Sequence, residues 1–178
     1  MDNSALPNLS QTNPIKLSKA PKNWAKQAKD RALLLQKHLI EWFENEQSGM
    51  QTAIQQSISG TNFTSADIHF QLSSIKSRLE AGDLVRWVEQ CYGEEDQQLG
   101  QTKQNEQEEQ QVDQPLEQAH VLCIHAGNLP LVGLQDAIAV LLSGHNYTGK
   151  ISRKDPYLLV SILKWLVHRG WEAQIQDW

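Results

Sequence analysis

Residues 93 to 118, GEEDQQLGQTKQNEQEEQQVDQPLEQ, are dominated by Gln and Glu and hold almost nothing that could be buried. Packing cannot repay the entropy of ordering such a stretch. It therefore reads as a disordered or fraying-helical linker, and any core must come from the residues on either side. The chain divides accordingly into an arm over 1–21, a helical N-terminal region over 22–92, the linker over 93–118 and a final region over 119–178.

On the N-terminal side, Trp24, Ala28, Leu35, Leu39 and Trp42 recur at steps of three, four or seven and lay one apolar stripe along a helix. A weaker helical stretch carries Met50, Ile54 and Ile58 and stops at Gly60. FTSADI then spells a helix start: Thr64 caps, Asp67 answers three residues later, and Phe63 is placed to staple onto Ile68. Ile68, Leu72, Ile75 and Leu79 follow on one face. After Gly82, Asp83 caps a last helix whose apolar face is Leu84, Trp87, Val88 and Cys91. The region is expected to form three or four short amphipathic helices.

Beyond the linker the pattern becomes α/β. HVLCIHAG is a nearly continuous apolar run ending in Gly, as expected of a strand covered on both faces. LVGLQDAIAVLL, residues 131–142, is a largely apolar helix closed by Ser143 and Gly144, and NYTGKI is a second strand. Asp155 and Pro156 form an N-cap and first-turn pair for a helix through Leu158, Leu159, Ile162, Leu163, Leu166 and Val167, stopped at Gly170. Strand, helix, strand, helix implies a right-handed parallel crossover. The fold class expected is α/β, a helical unit followed by an incomplete βαβα piece of a parallel sheet.

This order disposes of a near-motif. Gly144, Gly149 and Lys150 almost spell a P-loop, but Ile151 stands where the magnesium-binding Ser or Thr belongs. Gly144 also closes a helix and Lys150 ends a strand, the reverse of P-loop context. A lysine at the carboxyl end of a parallel strand is nonetheless well placed, because open α/β sheets bind ligands outside those ends.

A net charge of −5 and a pI near 5.6 argue against a dominant nucleic-acid surface. The exception is residues 1–31, where Lys16, Lys19, Lys22, Lys26, Lys29 and Arg31 face only Asp2 and Asp30, and which reads as a solvated basic arm. Cys91 and Cys123 form no C-x-x-C pair, and no His cluster has metal spacing, so both cysteines are expected to be buried apolar residues in a reducing compartment, with no metal. The longest apolar run, Ala137 to Leu142, is far too short to span a bilayer. A cytoplasmic protein without membrane insertion is expected.

The stretch AGNLPLVGLQDAIAVLLSGHNYTGKISRKDP resembles the opening of the nucleotide-binding domain in the LuxC-type acyl-CoA reductase family, within the aldehyde dehydrogenase superfamily. Asn128 and Pro130 match an Asn-x-Pro loop after the first strand, and Lys150 matches a lysine ending the next one. The similarity is strong over about residues 121–170 and extends to Trp24–Tyr92 in length and rhythm only. It implies an incomplete Rossmann-like, NAD(P)-binding domain and an enzyme that reduces a fatty acyl-CoA thioester to an aldehyde.

On that resemblance, Asn128 is the catalytic amide that donates to the thioester or aldehyde oxygen as it gains charge. Lys150 contacts the adenosine ribose, Gly127 lets the backbone approach the cofactor, and Ser152 helps bind ribose or phosphate. Arg153 stands near where many NAD-preferring relatives carry a Glu; its guanidinium suits a 2'-phosphate, which favours NADP(H) over NAD(H). The plainer alternatives are an Asn in an unusual turn, a strand-end lysine and ordinary loop charges. On the same resemblance the family's nucleophilic cysteine comes later than this sequence reaches; of the cysteines present, neither Cys91 on a helix face nor Cys123 within a strand sits in an activating setting. The sequence therefore reads as the N-terminal part of such a reductase, inactive alone, with oligomerisation open to the full-length protein. The competing reading is a noncatalytic protein-interaction module that binds through Trp42, Trp87 or Trp165.

Overall fold

Thr64 shows how the helices are punctuated. Its hydroxyl accepts the Asp67 backbone N–H at 3.1 Å, while the Asp67 carboxylate accepts the Thr64 backbone N–H at 3.0 Å. Two donors that a helix start leaves open are thereby satisfied, and the Thr64 hydroxyl, donating to Asp67 Oδ2 at 2.6 Å, together with the Thr64 backbone N–H holds the Asp67 carboxyl below the usual carboxylate range. The computed structural model describes residues 24–92 and 118–176; the arm over 1–21 and residues 93–117 of the Gln/Glu-rich segment lie outside them.

The described elements run α1 (Trp24–Glu44), a single 3-10 turn (Glu46–Ser48), α2 (Met50–Gly60), α3 (Ser65–Glu80), α4 (Asp83–Tyr92), β1 (His120–Ile124), α5 (Leu134–Leu142), β2 (Asn146–Lys150), α6 (Leu158–Val167) and β3 (Ala173–Gln176). The stripe on α1 is buried at Ala28, Ala32, Leu35, Leu39 and Trp42. On α4, Leu84 and Val88 are buried, but Trp87 and Cys91 are exposed, so the apolar face is narrower than the spacing suggests and Cys91 is no core residue.

The sheet is parallel throughout, in the order β1-β2-β3. Its third strand extends the expected βαβα order. Ala173 and Ile175 alternate with Gln174 and Gln176, too short a pattern to announce a strand, yet both apolar side chains pack on the core. Register assigns the faces. Val121, Tyr147 and Ala173 form one cross-strand row, and Cys123, Gly149 and Ile175 the next, both on the side turned to the helices. The rows Leu122–Thr148–Gln174 and Ile124–Lys150–Gln176 lie on the other side.

There the expectation for β1 fails. Leu122 is 54% and Ile124 71% exposed, so the strand is covered on one face only.

A continuous core joins the helices to the sheet, bringing Leu35, Leu39 and Trp42 of α1 together with Tyr147 and with Leu158, Ile162 and Leu166 of α6. Fully burying each such leucine is worth about 1.5–3 kcal/mol. Indole N–H groups stitch the same joint. Trp42 donates to Ser161 Oγ at 3.2 Å, Trp165 to the His38 carbonyl at 2.8 Å and Trp171 to His38 Nδ1 at 2.9 Å. Arg169 lies over the Trp165 ring and donates to Glu41 at 3.1 Å. Trp42 and Trp165, two of the three residues expected to anchor a partner, are thus engaged inside the protein.

Candidate functional site at the strand ends

Two loops meet at the carboxyl ends of β1 and β2. The ladder runs one step past β1, since the His125 backbone N–H donates to the Lys150 carbonyl at 3.1 Å. The chain then turns through Gly127, Asn128, Leu129 and Pro130, while the other loop runs through Ser152, Arg153 and Lys154. They touch at Gly127: a Cβ there would overlap Ser152 Oγ and Lys154 Cβ, so only a residue without a side chain allows this approach. The structure therefore brings Gly127 and Ser152 together, with Lys150 ending β2 on the uncovered face beside Ile124 and Gln176. Asn128 and Arg153 are exposed, Gly127, Lys150 and Ser152 half-buried. Gly144 has φ 78° and closes α5, as the rejection of a P-loop requires.

Asp155 departs from expectation. The residue at the α6 N-cap is Tyr157, with no side-chain capping hydrogen bond. The Asp155 carboxylate instead reaches back across the site, where Oδ2 accepts the Leu131 backbone N–H at 2.9 Å. Asp155 is only 4% exposed, and its Oδ1 is buried without a hydrogen-bond partner. Burial pushes its pKa up, against the opposing pull of the Leu131 N–H. Leu131 itself has φ 60°, a left-handed conformation rare for a bulky side chain and costing about 1–2 kcal/mol. Its buried side chain and its bond to Asp155 hold it there.

Behind the loops lies a polar cluster that the sequence did not single out. The His125 ring is buried against Gly133, where a Cβ would overlap it, and His125 Nε2 pairs with the Tyr147 hydroxyl at 2.6 Å. His125 Nδ1 lies 3.4 Å from the exposed Asp136 carboxylate. Burial lowers the His125 pKa and outweighs Asp136, which favours a neutral ring with Nδ1–H toward Asp136 and Nε2 accepting from Tyr147. Burial first, then Cys123 and Asp136, pushes the Tyr147 hydroxyl upward, and burial followed by Asp136 raises the Cys123 thiol. Cys123 is therefore a protonated, weak nucleophile. One signal could have exposed this cluster: a single His closing an apolar strand, with a glycine at 133 leaving room for its ring.

Among the described residues, no group of three or more His, Cys, Asp or Glu could hold a metal ion, and no helix is long and apolar enough to cross a membrane. A cleft of about 650 Å³ opens elsewhere, between the 45–49 turn and α6, lined by residues that include Thr52, Tyr157, Ser161, Lys164 and Trp165. None of Gly127, Asn128, Lys150, Ser152 or Arg153 lines it. Comparison with family models, with curated proteins and with solved structures gives no match.

Proposed function

We propose that this chain is the N-terminal part of an NAD(P)H-dependent acyl-CoA reductase, which converts a fatty acyl-CoA thioester to an aldehyde through a cysteine acyl-enzyme whose nucleophile lies outside these residues. The observation that carries the reading is the meeting of the Gly127–Asn128 loop with the Ser152–Arg153 loop at the carboxyl ends of parallel strands, where open α/β sheets take their ligands. On this reading the sheet belongs to a Rossmann-like nucleotide-binding domain of the aldehyde dehydrogenase type.

The residues present fit a dinucleotide. Gly127 lets its loop close onto Ser152, and Lys150, Ser152 and Arg153 supply two cations and a hydroxyl near that contact. Lys150 binds the adenosine ribose and Arg153 attracts a 2'-phosphate, which favours NADP(H) over NAD(H). When bound, the cofactor supplies the hydride. Asn128, exposed on its loop, donates its amide N–H to the thioester oxygen as negative charge develops there; removing such a donor costs about 2.7–4 kcal/mol of transition-state stabilisation. Cys123, set within β1 with a thiol whose pKa burial raises, does not suit the role of acyl carrier, and the chain by itself is expected to lack reductase activity.

Titration of the purified chain with NADPH tests the proposal. Saturable binding weakened about tenfold or more by Lys150→Ala, with Arg153→Ala narrowing the preference over NADH, is the expected result, the size of a lost hydrogen bond to a charged group. Absence of nucleotide binding, together with a stable complex with another protein, would instead favour the interaction module. Exposed Ile124 on the sheet and Phe70 on α3 are what recommend that second reading.

A further inference from the structure

Asp155 is placed as no packing preference would place it. A carboxylate buried to this degree, with one oxygen satisfied by a single N–H and the other by nothing, is costly to keep at neutral pH. A helix cap would have left it in solvent. What its position achieves is a bond between two loops 24 residues apart in sequence, made to the amide of a residue with left-handed backbone. Leu131 follows Asn128 by three positions. Between them Pro130 is buried, whereas Asn128 and Leu129 project outward.

We propose that Asp155 is the positioning residue of the strand-end site: its carboxylate clamps the Asn128 loop to the Ser152–Arg153 loop and fixes the left-handed turn at Leu131 from which Asn128 is presented. The site is thereby formed before any ligand arrives. Three ties act in series, namely the His125 N–H on the Lys150 carbonyl, the contact of Gly127 with Ser152, and the Asp155 bond. The last reaches past Asn128 and, with the buried side chains of Pro130 and Leu131, fixes the loop on the far side of that residue. The consequence for activity rests on the reductase reading above; the clamp itself does not.

Amide hydrogen exchange of the ligand-free chain decides the matter, comparing the parent with Asp155→Ala and Asp155→Asn. Asp155→Ala is expected to speed exchange at Leu131 about ten- to a hundredfold, the loss of one hydrogen bond to a charged group, while the Leu166 amide in α6 keeps its protection. Asp155→Asn retains an acceptor oxygen and is expected to restore much of the Leu131 protection, whereas Asp155→Leu, which fills the space without an acceptor, is expected to exchange as fast as Asp155→Ala. Should Asp155→Ala fail to fold, the parent chain still answers: its Leu131 amide resonance is expected to titrate with the Asp155 carboxyl, and an amide that neither titrates nor resists exchange overturns the clamp. Unchanged Leu131 exchange in Asp155→Ala overturns it as well. Measured on the same variants, NADPH affinity is expected to fall in Asp155→Ala and recover in Asp155→Asn. Binding that is equal in all three while Leu131 loosens means that the clamp does not position the site. A parent chain that binds no NADPH defeats the reductase reading, and the exchange result then decides the clamp alone.

Discussion

The joint between α1 and α6 and the loops at the strand ends are built by opposite rules. At the joint every described indole N–H has a partner, the apolar side chains are enclosed, and Arg169 is held between Glu41 and Trp165. At the strand ends a carboxylate oxygen is buried without a partner, a leucine sits in left-handed backbone, and Ile124 and Leu129 face outward. A region shaped only by stability would shed these costs. Buried oxygens without a partner also occur at Gln36, Ser57 and Asn146, and Leu33, Leu34 and Val167 are exposed elsewhere; what sets the strand ends apart is that the buried Asp155 carboxylate and the left-handed Leu131 are bonded to each other there.

Four substitutions break or sharpen that contrast. The largest effect belongs to Trp42, fully buried and bonded to Ser161: Trp42→Ala is expected to cost about 3–5 kcal/mol in chemical denaturation, and a cost below 1 would mean that the joint is loose. Next is Gly127→Ala, whose methyl group must displace Ser152; about 1–3 kcal/mol is expected, with loss of NADPH binding beyond what the stability change explains.

Trp171→Phe removes the bond to His38 and is expected to cost about 0.5–1.5 kcal/mol. The His38 ring also carries a pH dependence, because only the neutral ring leaves Nδ1 free to accept from Trp171. Burial lowers the His38 pKa, more than Glu41 raises it, with Arg169 and Lys37 lowering it further. A depressed folded value means that the contribution is fully present above the unfolded value of about 6.5 and is lost as pH falls through the lower folded one. Melting temperature should therefore fall on acidification through this window, and the fall should shrink in Trp171→Phe. The smallest effect is at Ile124, where replacement by Thr on the open sheet face should change stability by about 0.5 kcal/mol or less; a larger loss would show that this face is covered in solution.

How much was legible follows the same division. The Thr64–Asp67 box is written within four residues, and the stripe of α1 within a few turns, so local sequence sufficed for both. Lys150 at the end of a strand was equally plain. Asp155 was misread because Asp-Pro before an apolar helix is a local capping signal, and a contact with Leu131, far off in sequence, overrode it. β3 escaped because two apolar residues among glutamines make no pattern. His125 escaped because only the space over Gly133 and the Tyr147 hydroxyl give its burial a meaning. Features written in neighbouring residues could be read, whereas those made by distant loops could not.

The joint also bears on the order of assembly. Trp42 meets Ser161 across 119 positions and Trp171 meets His38 across 133, whereas the packing of α1 on α4 and of α3 on α4 closes shorter loops within the 24–92 group. Contacts of short separation repay their loop-closure entropy at once, and distant ones only after the intervening chain has been gathered in. The helical group is thus expected to form ahead of the parallel strands, with closure of α1 onto α6 a later step than the formation of any helix.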